Sequence, residues 1–371
     1  MRPTALERAL FDDLVGRSGE ALASLYLPTH VKGAEVDQDR IRLKNGLARV
    51  DEMLETLGWR PPARRARLEA VRRLLDDQEF WAHQGLGLAV FIDDRSSTVV
   101  ALPEPVAELW VVSDVFHVRP LLGSLDPIEL PVLALTLDRL RLYRSSRYRT
   151  APVEADLPDS FDDVNWFVDR EKQRQQRPDR TRGTQAGHGH DPAMRRHEDL
   201  DRFLRAVDDA IPDGAEPLIV LGDDTIVSRF RHVSARDVVS ADGRVRDVDD
   251  IAAVHAVASV IVGRHRSELD RESIELAVRA LGSGAATSDL DESLRAALSG
   301  RMSRLVLNAG AVPRWGRFDP STGTASLHGD RATLDVDLLD RQAVRTLATG
   351  ADVEPVDEPI DGHDFVAVMR F

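Results

Sequence analysis

The chain has 371 residues, a net charge of −14 at pH 7, no cysteine and an apolar fraction of 42%. The length favours two or three domains, and the lack of cysteine excludes disulfides, thiol nucleophiles and Cys-ligated zinc. Net acidity disfavours a protein that coats nucleic acid with its whole surface, but it does not exclude one basic face.

The first 126 residues are predicted to form an α/β domain. In chain order the predicted elements are a helix at 4–14, a strand at 21–27, helices at 38–57 and 62–75, and strands at 87–92, 97–102 and 108–112. We expect these last three strands to form an antiparallel meander, because short turns separate them. The second long helix carries several arginines, which indicate either a solvated face or an RNA contact: Arg60, Arg64, Arg65, Arg67, Arg72 and Arg73.

A second domain is predicted over residues 127–246. It begins with a strand pair at 132–137 and 140–144 around Asp138-Arg139. A helix capped by Asp191, with Pro192 at its first position, then runs to Ile211. Its predicted buried stripe comprises Leu200, Phe203, Leu204, Val207 and Ile211. A strand at 217–221 follows and stops at Gly222.

Between these elements lies a segment at 170–192, named here the Gly/Arg-rich segment. Its loop from Arg182 to Pro192 has no apolar residue larger than alanine, so it cannot pack into a core and must project into solvent. Residues 170–205 contain nine Arg and one Lys against six carboxylates, a local balance of +4 in an acidic chain. This pattern is typical of phosphate contact, and the alternative is a solvated surface loop.

The third domain is predicted over residues 247–371. Its elements are a long helix at 248–281 that bends or breaks near Gly263, a helix at 288–298 capped by Ser288, a strand at 304–307, a helix at 338–349, and strands at 352–356 and 365–371. This alternation predicts an α/β/α sandwich. The whole chain is therefore predicted to be α/β, with three α/β domains in series.

Two kinds of side-chain cluster suggest chemistry. A metal site could use His188, His190 and Asp191 with His197, but the glycines around them leave such a site poorly preorganised. Asp223-Asp224 follows a predicted strand, where α/β sites lie, although a turn is the favoured interpretation. P-loop, dinucleotide, nucleophile-elbow and zinc-protease motifs are absent, which disfavours an ordinary metabolic enzyme, and we expect no metal and no cofactor.

Several short motifs occur in a familiar order: Ser24-Leu25-Tyr26-Leu27-Pro28-Thr29-His30, Ile41-Arg42-Leu43-Lys44-Asn45, Leu74-Leu75-Asp76-Asp77, Phe80-Trp81-Ala82-His83-Gln84, Gly87-Leu88-Ala89-Val90-Phe91 and Phe116-His117-Val118-Arg119-Pro120-Leu121-Leu122. Together with the Gly-rich loop, the following helix and the closing sandwich, they resemble the bacterial branch of the archaeo-eukaryotic peptide chain release factor family. The resemblance implies a three-domain translation factor whose middle domain carries a loop toward the peptidyl-transferase centre. It also implies contact with the ribosome and ribosomal RNA, and a C-terminal domain that meets a translational GTPase such as elongation factor Tu.

In family members that release peptides, the loop holds a Gly-Gly-Gln motif whose Gln positions water for hydrolysis of peptidyl-tRNA. Here Gly183 and Gln185 match that motif, but Thr184 replaces the second Gly, and a β-branched residue strongly disfavours φ > 0. The family's Asn-Ile-Lys-Ser stop-codon motif has no match in the first domain, which leaves a resemblance to the Pelota-like members. The loop residues of interest are Gly183, Thr184, Gln185, Gly187, His188, Gly189 and His190. The predicted RNA contacts are Arg170, Lys172, Arg174, Arg177, Arg180, Arg182, Arg195 and Arg196.

Three functions remain open. The first is a ribosome-associated factor that occupies the aminoacyl site of stalled or idle ribosomes, in rescue or hibernation, by binding and not by catalysis. The second is a ribosome-dependent peptidyl-tRNA hydrolase in which Gln185 orients water. The third is an acidic protein-interaction module that no longer binds ribosomes. We expect a cytoplasmic monomer without membrane contact, because no apolar run approaches the roughly 18 residues of a membrane span.

Overall fold

The computed structural model describes residues 3–30, 36–125, 128–158, 160–161, 192–240, 245 and 247–370, with the backbone alone at 36 and 192–197. The helices in these ranges are α1 (Arg8–Gly16), α2 (Val36–Thr56), α3 (Pro61–Arg72), α4 (Gln78–Trp81), α5 (Pro192–Ala210), α6 (Asp224–Val233), α7 (Ile251–Gly282), α8 (Leu290–Leu298) and α9 (Leu338–Ala348). The strands are β1 (Thr4–Ala5), β2 (Ser18–Pro28), β3 (Gly87–Ile92), β4 (Ser97–Leu102), β5 (Leu109–Val115), β6 (Leu130–Leu135), β7 (Leu140–Ser145), β8 (Thr150–Val153), β9 (Leu218–Gly222), β10 (Val238–Ser240), β11 (Ala286–Thr287), β12 (Met302–Asn308), β13 (Trp315–Asp319), β14 (Thr324–Leu327), β15 (Val336–Asp337), β16 (Asp352–Val356) and β17 (Phe365–Met369). Within these ranges, every helix is too short or too polar to cross a bilayer.

The chain divides into two compact units. One comprises Met1–Asp126 together with Glu268–Phe371, and the other comprises Pro127–Ser267. The predicted α/β class is confirmed, because both units combine sheets with helices. The chain passes from the first unit to the second after Asp126, which is the boundary predicted from the sequence. It returns to the first unit after Ser267, a position within α7. The three-domain boundaries themselves stay a prediction.

The first sheet of the first unit has the order β1-β4-β3-β2-β5. Leucine and valine side chains of α2 and α3 cover one face, and α1 contributes Phe11 and Leu14 to the other. The prediction of a helix from Thr4 was wrong, because Thr4–Ala5 pair with β4 as a parallel strand and α1 begins at Arg8. The predicted meander was also wrong, because β5 pairs with β2 instead of β4. Strand pairing is non-local, so turn length alone could not reveal it.

The second sheet of this unit has the order β11-β17-β12-β16. Leu294 of α8 and Val344 of α9 belong to the core on one face, and Ala277 of α7 packs against Val306 on the other. Helices therefore cover both faces, as the predicted C-terminal α/β/α sandwich requires. A separate small sheet, β14-β13-β15, was missed because its strands have only two to five residues each.

Two details of the third predicted domain were wrong. The break predicted near Gly263 is absent from α7, because a single helical glycine costs only about 1 kcal/mol and packing elsewhere along the helix offsets it. The alternative, a bend at Gly263, stays a prediction. Helix α8 is capped by Asp289, whose carboxylate accepts the Glu292 N–H, and not by Ser288. The predicted C-terminal glycines are confirmed, since Gly300 and Gly350 have φ of 64° and 73°.

The second unit is a five-stranded sheet, β10-β9-β6-β7-β8, with helices on both faces. Parallel pairing joins β10, β9 and β6, while β7 and β8 add antiparallel strands at one side. Helices α5 and α6 pack on one face through Phe203, Leu204 and Phe230. The first half of α7 packs on the other face through Val254 and Val262.

Candidate functional site at the base of the Gly/Arg-rich segment

The predicted site residues lie largely outside the described residues. This is true of the predicted loop (Gly183, Thr184, Gln185, Gly187, His188, Gly189, His190) and of six predicted RNA contacts (Arg170, Lys172, Arg174, Arg177, Arg180, Arg182). Arg195 and Arg196 fall on the backbone of α5, but their side chains are not described. Their roles stay predictions. In the described ranges, no group of His, Asp and Glu has a metal-binding arrangement.

The chain is anchored at its last described residue before the segment, Phe161. Its backbone N–H donates to the carbonyl of Leu137 at 2.9 Å, in the turn after β6. Its ring meets Phe203 edge to face, with centroids 5.7 Å apart. Such an aromatic pair stabilises by about 0.5–1.5 kcal/mol beyond its buried area. Phe161 is thereby fixed to both the sheet and α5, nine residues before the segment begins.

Helix α5 fixes the trailing end. Phe203, Leu204 and Val207 are fully buried, so the predicted apolar stripe is confirmed. On its flank, Asp201 accepts two hydrogen bonds from the guanidinium of Arg229 in α6, one of them at 2.8 Å. Bidentate pairs of this kind fix the relative orientation of the two side chains and also contribute to stability. The described chain therefore ends before the segment at Phe161 and resumes in α5, and both of these parts pack into the same core on one face of the sheet.

The Asp201–Arg229 pair gives a pH prediction. Hydrogen bonding from Arg229 lowers the pKa of Asp201, and the positive charges of Arg205 and His232 act in the same direction. A lowered folded-state pKa means that the pair stabilises above the unfolded value of about 3.9 and loses its effect as pH falls through the folded value. We expect Arg229→Gln to lower the melting temperature modestly at pH 6. The difference from wild type should shrink in a calorimetric pH series as the pH falls below the unfolded value of about 3.9, and a difference independent of pH would contradict this origin.

The carboxylates after β9 have a structural role. Asp223 is the N-cap of α6 and accepts the backbone N–H of Thr225 at 3.0 Å. Asp224 lies in the first turn of the same helix, which suits the positive end of the helix dipole. The predicted turn at this pair is thus replaced by the start of a helix. Helix α6 itself was not predicted.

An open cavity of about 850 Å³ lies beside the β6–β7 hairpin in the second unit. It is lined by residues of the hairpin, of the stretch 152–158 and of the start of α7. Two arginines at its edge are both held by Asp249: Arg139 through Nη1 at 2.7 Å and Arg141 through Nε at 2.8 Å. Hydrogen bonding from Arg141 lowers the pKa of Asp249. Asp138 and Glu154 also line the cavity, so three carboxylates outnumber the two guanidinium groups, and the lining offers no surplus positive charge to an anion.

The arginines of the first domain are mostly engaged as well. Arg64 lies 3.3 Å from Asp51 and 3.1 Å from Glu55, and Arg73 lies 3.2 Å from Glu69. The guanidinium of Arg67 stacks on Trp59, and the distance from Cζ of Arg67 to the centre of the Trp59 ring is 4.8 Å. Much of the positive charge of helix α3 therefore interacts with groups of its own domain. Among the basic clusters identified in the sequence, the Gly/Arg-rich segment remains the better candidate for RNA contact.

One comparison concerns the part of the chain that contains this segment. Residues 131–301 match the family model described as bacterial archaeo-eukaryotic release factor family 3. The resemblance to this family is confirmed. The match covers somewhat under half of the 371 residues, and it includes most of the second unit and the whole Gly/Arg-rich segment. The release-factor resemblance was inferred chiefly from motifs in the first 122 residues, so the match comes from a different part of the chain.

Solved structures from this translation-factor group align loosely with the chain. The archaeal translation termination factor aRF1 aligns at 14% identity and a TM-score of 0.25, over 98% of this chain and 96% of that chain. Pelota from Archaeoglobus fulgidus aligns at 12% identity and a TM-score of 0.35, over 76% and 79%. Dom34 from S. cerevisiae aligns at 10% identity and a TM-score of 0.31, over 74% and 72%. No curated protein matches the chain.

Proposed function

We propose that this release-factor-like protein occupies the aminoacyl site of stalled or idle ribosomes, in rescue or hibernation, and acts mainly by binding. The observation that carries the proposal is the family match across the Gly/Arg-rich segment, combined with the altered motif inside it. The segment keeps the basic character needed to meet ribosomal RNA. The residue directly before Gln185 is Thr184 instead of glycine, so the backbone at this position lacks the conformational freedom that glycine has.

The second unit supports this role physically. Its sheet and helices hold Phe161, nine residues before the segment, and α5, in which the segment ends, in one compact body. A stretch of chain whose flanks are held in this way loses less conformational entropy on binding than a free tail does. The family assignment extends the proposal to a translational GTPase, such as elongation factor Tu, at the C-terminal domain.

Co-sedimentation of the purified protein with ribosomes over a salt series tests this proposal. Binding through RNA phosphates should weaken steeply as salt rises, because each neutralised phosphate releases counterions. Ribosomes purified from growing and from starved cells should be compared. Absence of binding to both, even at low salt, would exclude the proposal.

Peptide release is the second candidate function, and the retained Gln185 favours it. If Gln185 positions water, Gln185→Ala should lower the rate of peptidyl-tRNA hydrolysis on ribosome complexes by roughly 10²–10³-fold with little change in ribosome affinity. Gln185→Glu, which keeps the size but changes the hydrogen bonding, serves as a matched variant. If the wild type and both variants hydrolyse peptidyl-tRNA at the same low rate, this function is excluded and ribosome binding without catalysis remains.

The net charge of −14 leaves room for a third function, an acidic protein-interaction module. Such a protein would show no steep salt dependence with RNA, because few phosphates would be neutralised. The salt series therefore separates this alternative from the first two.

A further inference from the structure

The two ends of the chain share one hydrophobic core. Phe11, Tyr26 and Phe91 from the first sheet belong to the same buried cluster as Leu305 and Phe365 from the sandwich sheet. Each of these side chains is at most 2% exposed. Separating the two sheets would expose this apolar surface to water, at about 25 cal/mol per Å².

Buried hydrogen bonds cross the same seam. Oδ1 of Asp340, in the first turn of α9, accepts the backbone N–H groups of Val118 and Arg119, both at 2.7 Å. Arg119 in turn places Nε 2.9 Å from Asp337 and donates from Nη1 to the carbonyl of Ala311 at 2.8 Å. Buried donors left without an acceptor are costly, so these bonds specify one arrangement of the two regions.

Ion pairs add a third set of contacts. Asp114, in β5, accepts hydrogen bonds from Arg341 at 2.6 and 2.9 Å and from Arg345 at 2.9 Å, both arginines lying in α9. Arg331 donates to the backbone carbonyl of Trp110 in the same edge strand and lies over the ring of Trp315, 3.9 Å from its centre. The edge strand of the first sheet is thus held by the C-terminal region.

We propose that residues 3–125 and 268–370, the two ends of the chain, form one rigid and cooperative body instead of two independently moving domains. A factor built from three domains in series could move its first and third domains separately. Here the shared core, the Asp340 hydrogen bonds and the Asp114 ion pairs oppose such motion. This inference concerns the free protein and does not depend on ribosome binding.

Distance measurements between spin labels test the rigidity. The chain has no cysteine, so introduced cysteines are the only labelling sites. Arg95→Cys in the β3–β4 turn and Val312→Cys before β13 place labels at exposed positions of the two regions. Leu276→Cys with Val312→Cys is the matched pair within the C-terminal region. We expect equally narrow distance distributions for both pairs, and a broad or two-peaked distribution for the Arg95–Val312 pair alone would overturn the proposal.

Hydrogen exchange tests the cooperativity independently. Val306 belongs to a cluster made only of C-terminal residues, and Leu47 to one dominated by the first sheet and its helices. In a single cooperative body, Val306→Ala should lower the protection of amides in β3 and in β12 by the same factor, roughly ten- to hundredfold. Leu47→Ala should do the same from the other side. Loss of protection confined to the mutated region in either variant would show two separate folding units.

Discussion

Replacing Arg174, Arg177, Arg180 and Arg182 by Ser should lower the affinity for ribosomes at physiological salt on the order of a hundredfold. These residues lie in the Gly/Arg-rich segment, on the part of the chain that matches the release factor family. Four phosphate contacts fewer should also reduce the slope of log K against log salt by about 3. Sedimentation of the wild type and the variant across the same salt series measures both quantities.

The control variant must remove the same charge from another surface. Four arginines in the first unit are more than half exposed, and each forms only a surface ion pair, worth about 0–1 kcal/mol: Arg8, Arg49, Arg95 and Arg271. Changing these four to Ser should leave the salt slope nearly unchanged. An equal loss of affinity in both variants would mean that total charge, and not this segment, drives the binding.

Phe203→Ala should destabilise the second unit by about 3–5 kcal/mol. Phe203 is fully buried on α5, and its ring contacts Phe161, nine residues before the segment. Removing the Phe203 side chain leaves a cavity in the core between α5 and the sheet, and it deletes the aromatic contact that holds Phe161. The loss is best measured by urea denaturation, with amide exchange in β6 and β9 as the local reporter.

Phe203→Leu is the matched variant, because it keeps an apolar side chain and fills much of the space. It should lose clearly less stability than Phe203→Ala. Both variants lack the edge-to-face pair, so a defect in ribosome binding common to both, at a temperature where both remain folded, would trace to the anchoring of the segment. A destabilisation below 1 kcal/mol in Phe203→Ala would contradict the central position assigned to this side chain.

Most elements with a strong local pattern were predicted correctly. The apolar stripe of α5 repeats every three or four residues, and the structure buries Phe203, Leu204, Val207 and Ile211. Gly300 and Gly350 both end helices with positive φ. Helix periodicity and C-terminal glycines depend on neighbours within a few residues, so the sequence carries them directly.

The errors occurred where local signals competed or were weak. The local sequence at Thr4–Ala5 is compatible with a helix or a strand, and these residues form a strand because they pair with β4. Ser288 and Asp289 are both good capping residues, and the chain uses Asp289. Helix α6 is an exception, because Ile226, Val227, Phe230 and Val233 recur at helical spacing and could have predicted it. The strands of the β14-β13-β15 sheet are too short to show a clear period. In these cases the free-energy differences between local alternatives are small, so distant contacts determine the outcome.

The sequence by itself determined the α/β class, the position of the basic segment and the substitution of Thr184 in its motif, because composition and short-range pattern are enough for these. The tertiary structure alone decided that β5 pairs with β2, that Asp340 holds the backbone after β5, and that the arginines of α3 are largely neutralised by neighbouring carboxylates or stacked on Trp59. It also decided that the two chain ends share one core. Each of these features joins residues far apart in sequence, and such contacts leave no periodic signal in one chain.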